Sequence, residues 1–145
     1  MAKYKFKFES IVKVKEMLEK KIQVEISGIN KEIDDLRFDM KNLLDEYKRV
    51  SLQMSEKSIR VSDFQSIKMY SSQLLEQIEI LERKIEECQK RKEEKQKELI
   101  ERKKEIKAFE IMKESDYENF LVEERKTELK ALNEVAIRNF NGNES

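Results

Sequence analysis

The chain has 145 residues, of which 43% are charged, and its 31 basic and 31 acidic side chains leave no net charge. Two glycines and no proline cannot supply the turns of an all-β fold, nor the glycine-rich loops of nucleotide sites. The absence of histidine and the single cysteine exclude Ser-His-Asp triads, histidine-ligated metals, zinc ribbons and disulfide frameworks. The composition therefore predicts a protein that is not an enzyme and that carries no metal and no cofactor.

The spacing of the apolar residues favours long ordered helices over a disordered chain. High charge and low hydrophobicity are typical of disorder, but zero net charge and regular apolar spacing are typical of a coiled coil. No stretch approaches the roughly 18 consecutive apolar residues of a membrane span, and no signal peptide is recognisable. We therefore expect a cytosolic or peripheral protein without membrane insertion, in which Cys88 stays reduced.

A first helix is predicted over about residues 9–54. Its apolar residues step by four and three, which specifies a seam, the line of a and d positions that contacts a partner helix. These residues are Ile22, Ile26, Ile29, Ile33, Leu36, Met40, Leu43, Tyr47, Val50 and Met54. Upstream, Ile11, Val14 and Leu18 continue the stripe after one extra four-residue step. The pattern ends in a turn at about residues 55–62, where Ser62 and Gln65 fit a capping box.

A second helix is predicted over about residues 63–140. Its seam residues are Ile67, Leu74, Ile78, Leu81, Ile85, Cys88, Leu99, Ile106 and Phe109. The same register places Lys92, Lys95 and Arg102 in the seam, where their stems can cover apolar surface. Two long helices joined by a short connection fold back antiparallel, so Ile29 should lie near Cys88. The pattern predicts one all-α domain, residues 1–145, that is a two-helix antiparallel coiled-coil hairpin with a C-terminal single-helix extension.

The extension consists of the second helix beyond Phe109, where the first helix no longer reaches. Its apolar residues are Met112, Tyr117, Phe120, Leu121, Leu129, Leu132, Val135, Ile137 and Phe140. An isolated helix cannot bury so much apolar surface, which favours a site for another protein. Two alternatives stay open: Tyr4, Phe6 and Phe8 could fold over part of the extension, or an oligomer could cover it.

The charges are unevenly distributed but do not predict nucleic-acid binding. Residues 1–21 and 83–107 each carry a net charge of +4, whereas residues 25–46 carry −4. The basic segment within 83–107 lacks interleaved aromatic residues and contains seven acids, so we expect no nucleic-acid partner. Tyr47 and Tyr70 flank the turn, and either cap the seam or form a partner-binding surface.

Two short motifs at the ends of the chain resemble those of a known family. Residues 4–8 read Tyr-Lys-Phe-Lys-Phe, and residues 132–140 read Leu-Asn-Glu-Val-Ala-Ile-Arg-Asn-Phe. Proteins of the flagellar export family FliJ open with an aromatic Phe-x-Phe element and close with apolar-Asp-Glu-apolar followed by Arg. Here Asn133 replaces the aspartate, whereas Glu134 and Arg138 fit. With the charged hairpin between these motifs, the chain resembles this family over nearly its whole length.

The resemblance implies a non-enzymatic component of the flagellar type III export apparatus. Proteins of the FliJ family resemble the central-stalk γ subunit of rotary ATPases and are monomeric coiled coils when isolated. They bind the hexameric export ATPase FliI, promote assembly of its ring, and contact the gate protein FlhA and export chaperones. The implied location is cytoplasmic and peripheral, at the inner membrane below the flagellar base. Stalk proteins of virulence secretion systems, of the YscO type, share this layout and are the nearest alternative.

The resemblance also suggests two groups of partner-binding residues. We expect the ATPase side at Leu129, Leu132, Glu134, Val135 and Arg138. We expect the gate side near the turn, at Tyr47, Tyr70, Leu74 and Leu75. The competing hypothesis is a generic structural coiled coil, acting as a tether or dimerisation module, which would form a parallel dimer with its own seam satisfied.

Overall fold

The computed structural model describes residues 3–144, and within them it shows two long helices and no strand. Helix α1 spans Glu9–Met54 and helix α2 spans Val61–Glu144, and residues 55–60 connect them. The two helices pack against each other, which confirms the predicted all-α helical hairpin. Neither described helix is long and apolar enough to cross a membrane. Residue contacts divide the chain into two compact units. That the whole chain is one domain stays a prediction.

The hairpin unit, Lys20–Ile100, is held together by the apolar seam. Its core cluster consists of Ile29, Ile33 and Cys88, with Leu36 packed against it, so the predicted proximity of Ile29 and Cys88 is observed. The other buried side chains of the seam are Ile22, Val50, Ser71, Leu74 and Ile78. Because these side chains recur every three or four residues on both helices, the unit buries a line of contacts rather than a rounded core.

Helix α2 begins before the predicted cap. The Phe64 amide donates to the Arg60 carbonyl at 2.8 Å, so the first helical bond already starts at Arg60. Ser62 therefore lies inside the first turn, and its carbonyl accepts a bond from the Ser66 hydroxyl at 3.1 Å. A capping residue needs a non-helical backbone. Ser62 has a helical one, so the capping box expected with Gln65 is not formed.

The terminal unit comprises the described residues up to Glu19 together with those from Glu101 onward. Residues 4–8, which we call the strap, run along α2 before α1 begins. Ring centroids are 5.1 Å apart for Tyr4 and Tyr117, 5.3 Å for Tyr4 and Phe120, and 5.8 Å for Phe8 and Phe109. Phe6 is buried, whereas Lys5 and Lys7 are exposed. Residues 7 and 8 form the turn that leads into α1, where the Glu9 amide donates to the Phe6 carbonyl at 3.2 Å. Within the strap the aromatic rings lie inward and the lysines outward.

The register of α1 in the terminal unit differs from the prediction. The residues expected to continue the seam are exposed, namely Ile11, Val14 and Leu18. The half-buried residues are instead Val12, Lys15 and Glu19, which continue the spacing of the downstream seam without an extra step. The Lys15 ammonium lies 2.6 Å from the Glu105 carboxylate of α2. A straight helix keeps its register, so the strong apolar positions downstream determine which upstream residues face inward.

Candidate partner-binding surfaces

The strap extends the covered part of α2 well beyond the predicted end at Phe109. The Tyr4 hydroxyl donates to the Asp116 carboxylate at 3.0 Å, and Lys113 lies 3.3 Å from Glu9. Burial raises the pKa of Tyr4, and the Asp116 carboxylate raises it further, so the phenol remains a protonated donor at neutral pH. The first of the two alternatives for the extension is therefore observed: the aromatic segment folds over α2, and its contacts reach Phe120.

Beyond the strap, α2 continues with its side chains exposed. Glu124 is the last half-buried residue, and every residue from 125 to 142 is exposed. We call residues 125–142 the C-terminal segment. The large apolar side chains exposed from residue 121 onward are Leu121, Val122, Leu129, Leu132, Val135, Ile137 and Phe140. No described residue covers this apolar surface, and it begins where the strap ends.

The five residues predicted for the ATPase side lie in this segment but on two faces. At roughly 100° per residue, Leu129, Leu132 and Val135 fall within an arc of about 120°. Glu134 and Arg138 are one turn apart and lie roughly 120–160° from the centre of that arc. Leu132 and Val135 also line a shallow apolar groove with Glu128 and Ala131. The segment thus presents an apolar face and, separately, a charged face.

The four residues predicted for the gate side do not share a face either. Leu74 is buried in the seam, and Tyr47 is half-buried. Tyr70 and Leu75 are exposed, but they lie roughly 140° apart around α2. The Tyr70 hydroxyl donates to the Glu46 carboxylate at 3.2 Å, and that carboxylate also pairs with Arg49. Only Tyr70 and Leu75 therefore offer much surface to a partner.

A groove between the helices of the hairpin unit was missed by the sequence reasoning. It has a volume of about 440 Å³ and is lined by Asp39, Asn42, Leu43, Gln77, Ile80 and Leu81. Leu43 and Leu81 are half-buried seam residues, and Ile80 is half-exposed beside them. The groove therefore combines apolar side chains with a carboxylate and two amides, which suits a partner with both an apolar and a polar contact.

The electrostatic feature of this groove is the Asp39 carboxylate. Glu25, Glu32 and Glu46 lie seven or fourteen residues from Asp39 on the same side of α1, and each accepts an ion pair or hydrogen bond. Asp39 makes neither with any described residue. The seven-residue spacing of these four acids is the sequence signal that places Asp39 on this side of α1. The sequence alone does not place Gln77 of α2 beside Asp39, because that requires the pairing of the two helices.

One comparison with known proteins matches a family model over the range that contains all of these elements. The family model described as "Flagellar FliJ protein" matches residues 4–145, which include the strap, both helices and the turn. The comparison with curated proteins found no match, and neither did the comparison with solved structures. A match over essentially the whole chain shows membership. The chain therefore belongs to the FliJ family, whose members are components of flagellar type III export.

Proposed function

We propose that the chain is a non-enzymatic, stalk-like coiled coil that binds the hexameric export ATPase and promotes assembly of its ring. In this proposal it also couples the ATPase to the export gate and to substrate chaperones, at the cytoplasmic face of the inner membrane. Family membership supports the export role. The observation that carries the ATPase contact is the C-terminal segment, where α2 extends beyond the strap with its apolar side chains exposed.

We assign the ATPase contact to both faces of the C-terminal segment. The apolar face of Leu129, Leu132 and Val135 supplies the area that stabilises a complex when buried. Glu134 and Arg138 supply charges on the other face. A helix that enters the central opening of a ring is contacted from several sides, so the separation of these residues around α2 is compatible with one binding partner.

We assign the gate contact to the part of the hairpin unit near the turn. Tyr70 and Leu75 are exposed there, and the groove beside Ile80 carries the unpaired Asp39 carboxylate. An apolar side chain of the partner would fill the groove while a basic side chain pairs with Asp39. This contact is separate in sequence from the ATPase contact, which allows one chain to bind both proteins.

Truncation after Lys126 tests the ATPase assignment. The strap contacts end at Phe120, so the shortened chain should keep its helicity per residue and its melting temperature, measured by circular dichroism. It should lose stimulation of ATPase ring assembly and should not restore swimming to a strain that lacks the gene. A truncated chain that still stimulates the ATPase as the full chain does would contradict the assignment.

Substitutions in the full chain provide matched controls for the truncation. The triple variant Leu129→Ser, Leu132→Ser, Val135→Ser should lower the affinity for the ATPase at least tenfold, because it removes the apolar face. The control removes three similarly exposed apolar side chains from α1, namely Met17, Val24 and Phe38. If the C-terminal segment instead served dimerisation, sedimentation velocity would show a dimer of the full chain that the triple variant abolishes, with ATPase stimulation unchanged.

A further inference from the structure

The turn end of the hairpin unit exposes large apolar side chains. Val61 is 75% exposed and Leu52 is 72% exposed, the two highest values among the large apolar residues described. They lie close to either end of the connection at residues 55–60, and Met69 is nearly as exposed. We call residues 48–69 the turn region. Its apolar side chains project into solvent in the free chain and are accessible to a binding surface.

The same region is positively charged in a chain without net charge. Residues 48–69 contain five basic and two acidic side chains. Four of the basic residues, Lys48, Lys57, Arg60 and Lys68, are exposed and form no ion pair with any described residue. Arg49 alone is engaged, by Glu46. Four exposed cations and the exposed apolar side chains therefore belong to the same short region of the chain.

We propose that the turn region binds an anionic phospholipid surface, with Leu52 and Val61 inserted among the headgroups and the four cations paired with lipid phosphates. Exposed apolar side chains beside lysines and arginines are what interfacial membrane binding requires. Each such cation near an anionic surface strengthens binding by about fivefold. This inference rests on the turn region alone and is independent of the ATPase and gate assignments.

The shape of the region favours a lipid surface over a protein partner. A stable protein interface buries about 800 Å² on each side with complementary shape. The turn region consists of two helix ends and a short connection, and its two most exposed large apolar side chains, Leu52 and Val61, belong to different helices. Insertion into a headgroup layer needs no complementary shape, only apolar anchors and matching charge.

Vesicle sedimentation of the full chain tests the proposal. The chain should sediment with vesicles of phosphatidylcholine and phosphatidylglycerol at a 7:3 ratio in 0.1 M salt, and should not sediment with pure phosphatidylcholine. Lys57→Ser with Arg60→Ser should lower the partition coefficient about 25-fold. Leu52→Ser with Val61→Ser should lower it at least tenfold, because the apolar anchors are lost. Circular dichroism should show unchanged helicity, since all four residues are exposed.

Two control variants match these changes elsewhere in the chain. Lys31→Ser with Lys41→Ser removes the same charge from exposed positions of α1, and Met17→Ser with Val24→Ser removes equally exposed apolar side chains. Both should change the partition coefficient less than twofold.

Three outcomes would overturn the proposal. The first is absence of binding to the phosphatidylglycerol vesicles. The second is loss of binding in the charge variant with no effect of the Leu52/Val61 variant, which would show adsorption by charge without insertion. The third is binding of the turn region to the cytoplasmic part of the gate protein in solution while the vesicles bind none of the chain, which would assign the region to a protein partner.

Discussion

Two lysines of α2 occupy equivalent seam positions but have different surroundings. The Lys95 ammonium lies 2.8 Å from the Glu25 carboxylate of α1, and this ion pair lowers the pKa of Glu25. Lys92 is also half-buried but forms no ion pair with any residue that the structure describes. At Lys95 the charge has a partner across the seam. At Lys92 the aliphatic stem alone fills the space.

We therefore expect opposite results from the same substitution at these two positions. Lys92→Leu should raise the free energy of unfolding by about 1 kcal/mol, because an apolar side chain fills the seam without leaving a charge unpaired. Lys95→Leu should give no gain or a loss, because Glu25 would keep a half-buried carboxylate without its partner. Thermal melts followed by circular dichroism check both variants. An equal rise in melting temperature for both would show that the Glu25 pair contributes nothing.

Among the elements, the strap is the one that packs on α2 without being a helix itself. Phe6 is buried and makes an edge-to-face contact with Phe8 at 5.6 Å between centroids. Phe6→Ala should destabilise the terminal unit by about 3 kcal/mol, at the low end for buried aromatic residues. Hydrogen exchange should show faster exchange at amides 109–120 and unchanged exchange at amides 22–50 of the hairpin unit. Phe6→Leu should lose much less, and an unchanged exchange pattern in Phe6→Ala would contradict a stabilising strap.

The two helices differ from the strap in how far their packing could be predicted. From Ile22 to Met54, ten residues repeat the same spacing, and this periodicity is sufficient to identify the seam from the sequence. The five residues of the strap alternate between aromatic and basic side chains. This alternation predicts that the aromatic side faces inward, but it does not predict which surface the strap contacts. Its contact with Tyr117 and Phe120 depends on the folded hairpin bringing distant residues together, so it stayed one of two alternatives.

Apolar spacing also misled the prediction upstream of the seam. Ile11, Val14 and Leu18 are all apolar, whereas two of the three residues that actually face inward, Lys15 and Glu19, are charged. Helix continuity outweighs local hydrophobicity here, because rotating α1 to bury them would expose the much longer apolar stripe downstream. The residues predicted for each candidate site lie on different faces for a related reason, since neighbours in sequence such as Glu134 and Val135 point to different sides of a helix.

Across the whole molecule, ion pairs between the helices and one pair within α1 make stability depend on pH. Lys95 lowers the pKa of Glu25, Arg49 lowers that of Glu46, and Lys15 lowers that of Glu105. A carboxyl whose folded pKa is depressed contributes stability above its usual pKa of 4.5 and loses it as pH falls through the folded pKa. Urea midpoints should therefore be similar at pH 7 and 6 and should fall between pH 5 and 3.

Substitution of one partner isolates the contribution of a single pair to this pH dependence. Glu105→Gln removes the titrating carboxyl opposite Lys15, so its urea midpoint should fall less than that of the unsubstituted chain between pH 5 and 3. Glu123→Gln is the control, because Glu123 is exposed and pairs only within its own helix. Equal acid sensitivity of all three proteins would show that the interhelical pair does not contribute.

The hydrogen bond between Tyr4 and Asp116 joins residues 112 positions apart in the sequence. During synthesis at about 5–20 residues per second, the strap therefore waits roughly 6–22 s before its docking surface exists. For that interval three aromatic rings are exposed to other nascent chains. The lysines at every second position give the segment charge and solubility while it waits, and they remain on the outside when it docks. We therefore expect the alternation that directs packing in the folded protein to keep the segment soluble before α2 has been synthesised.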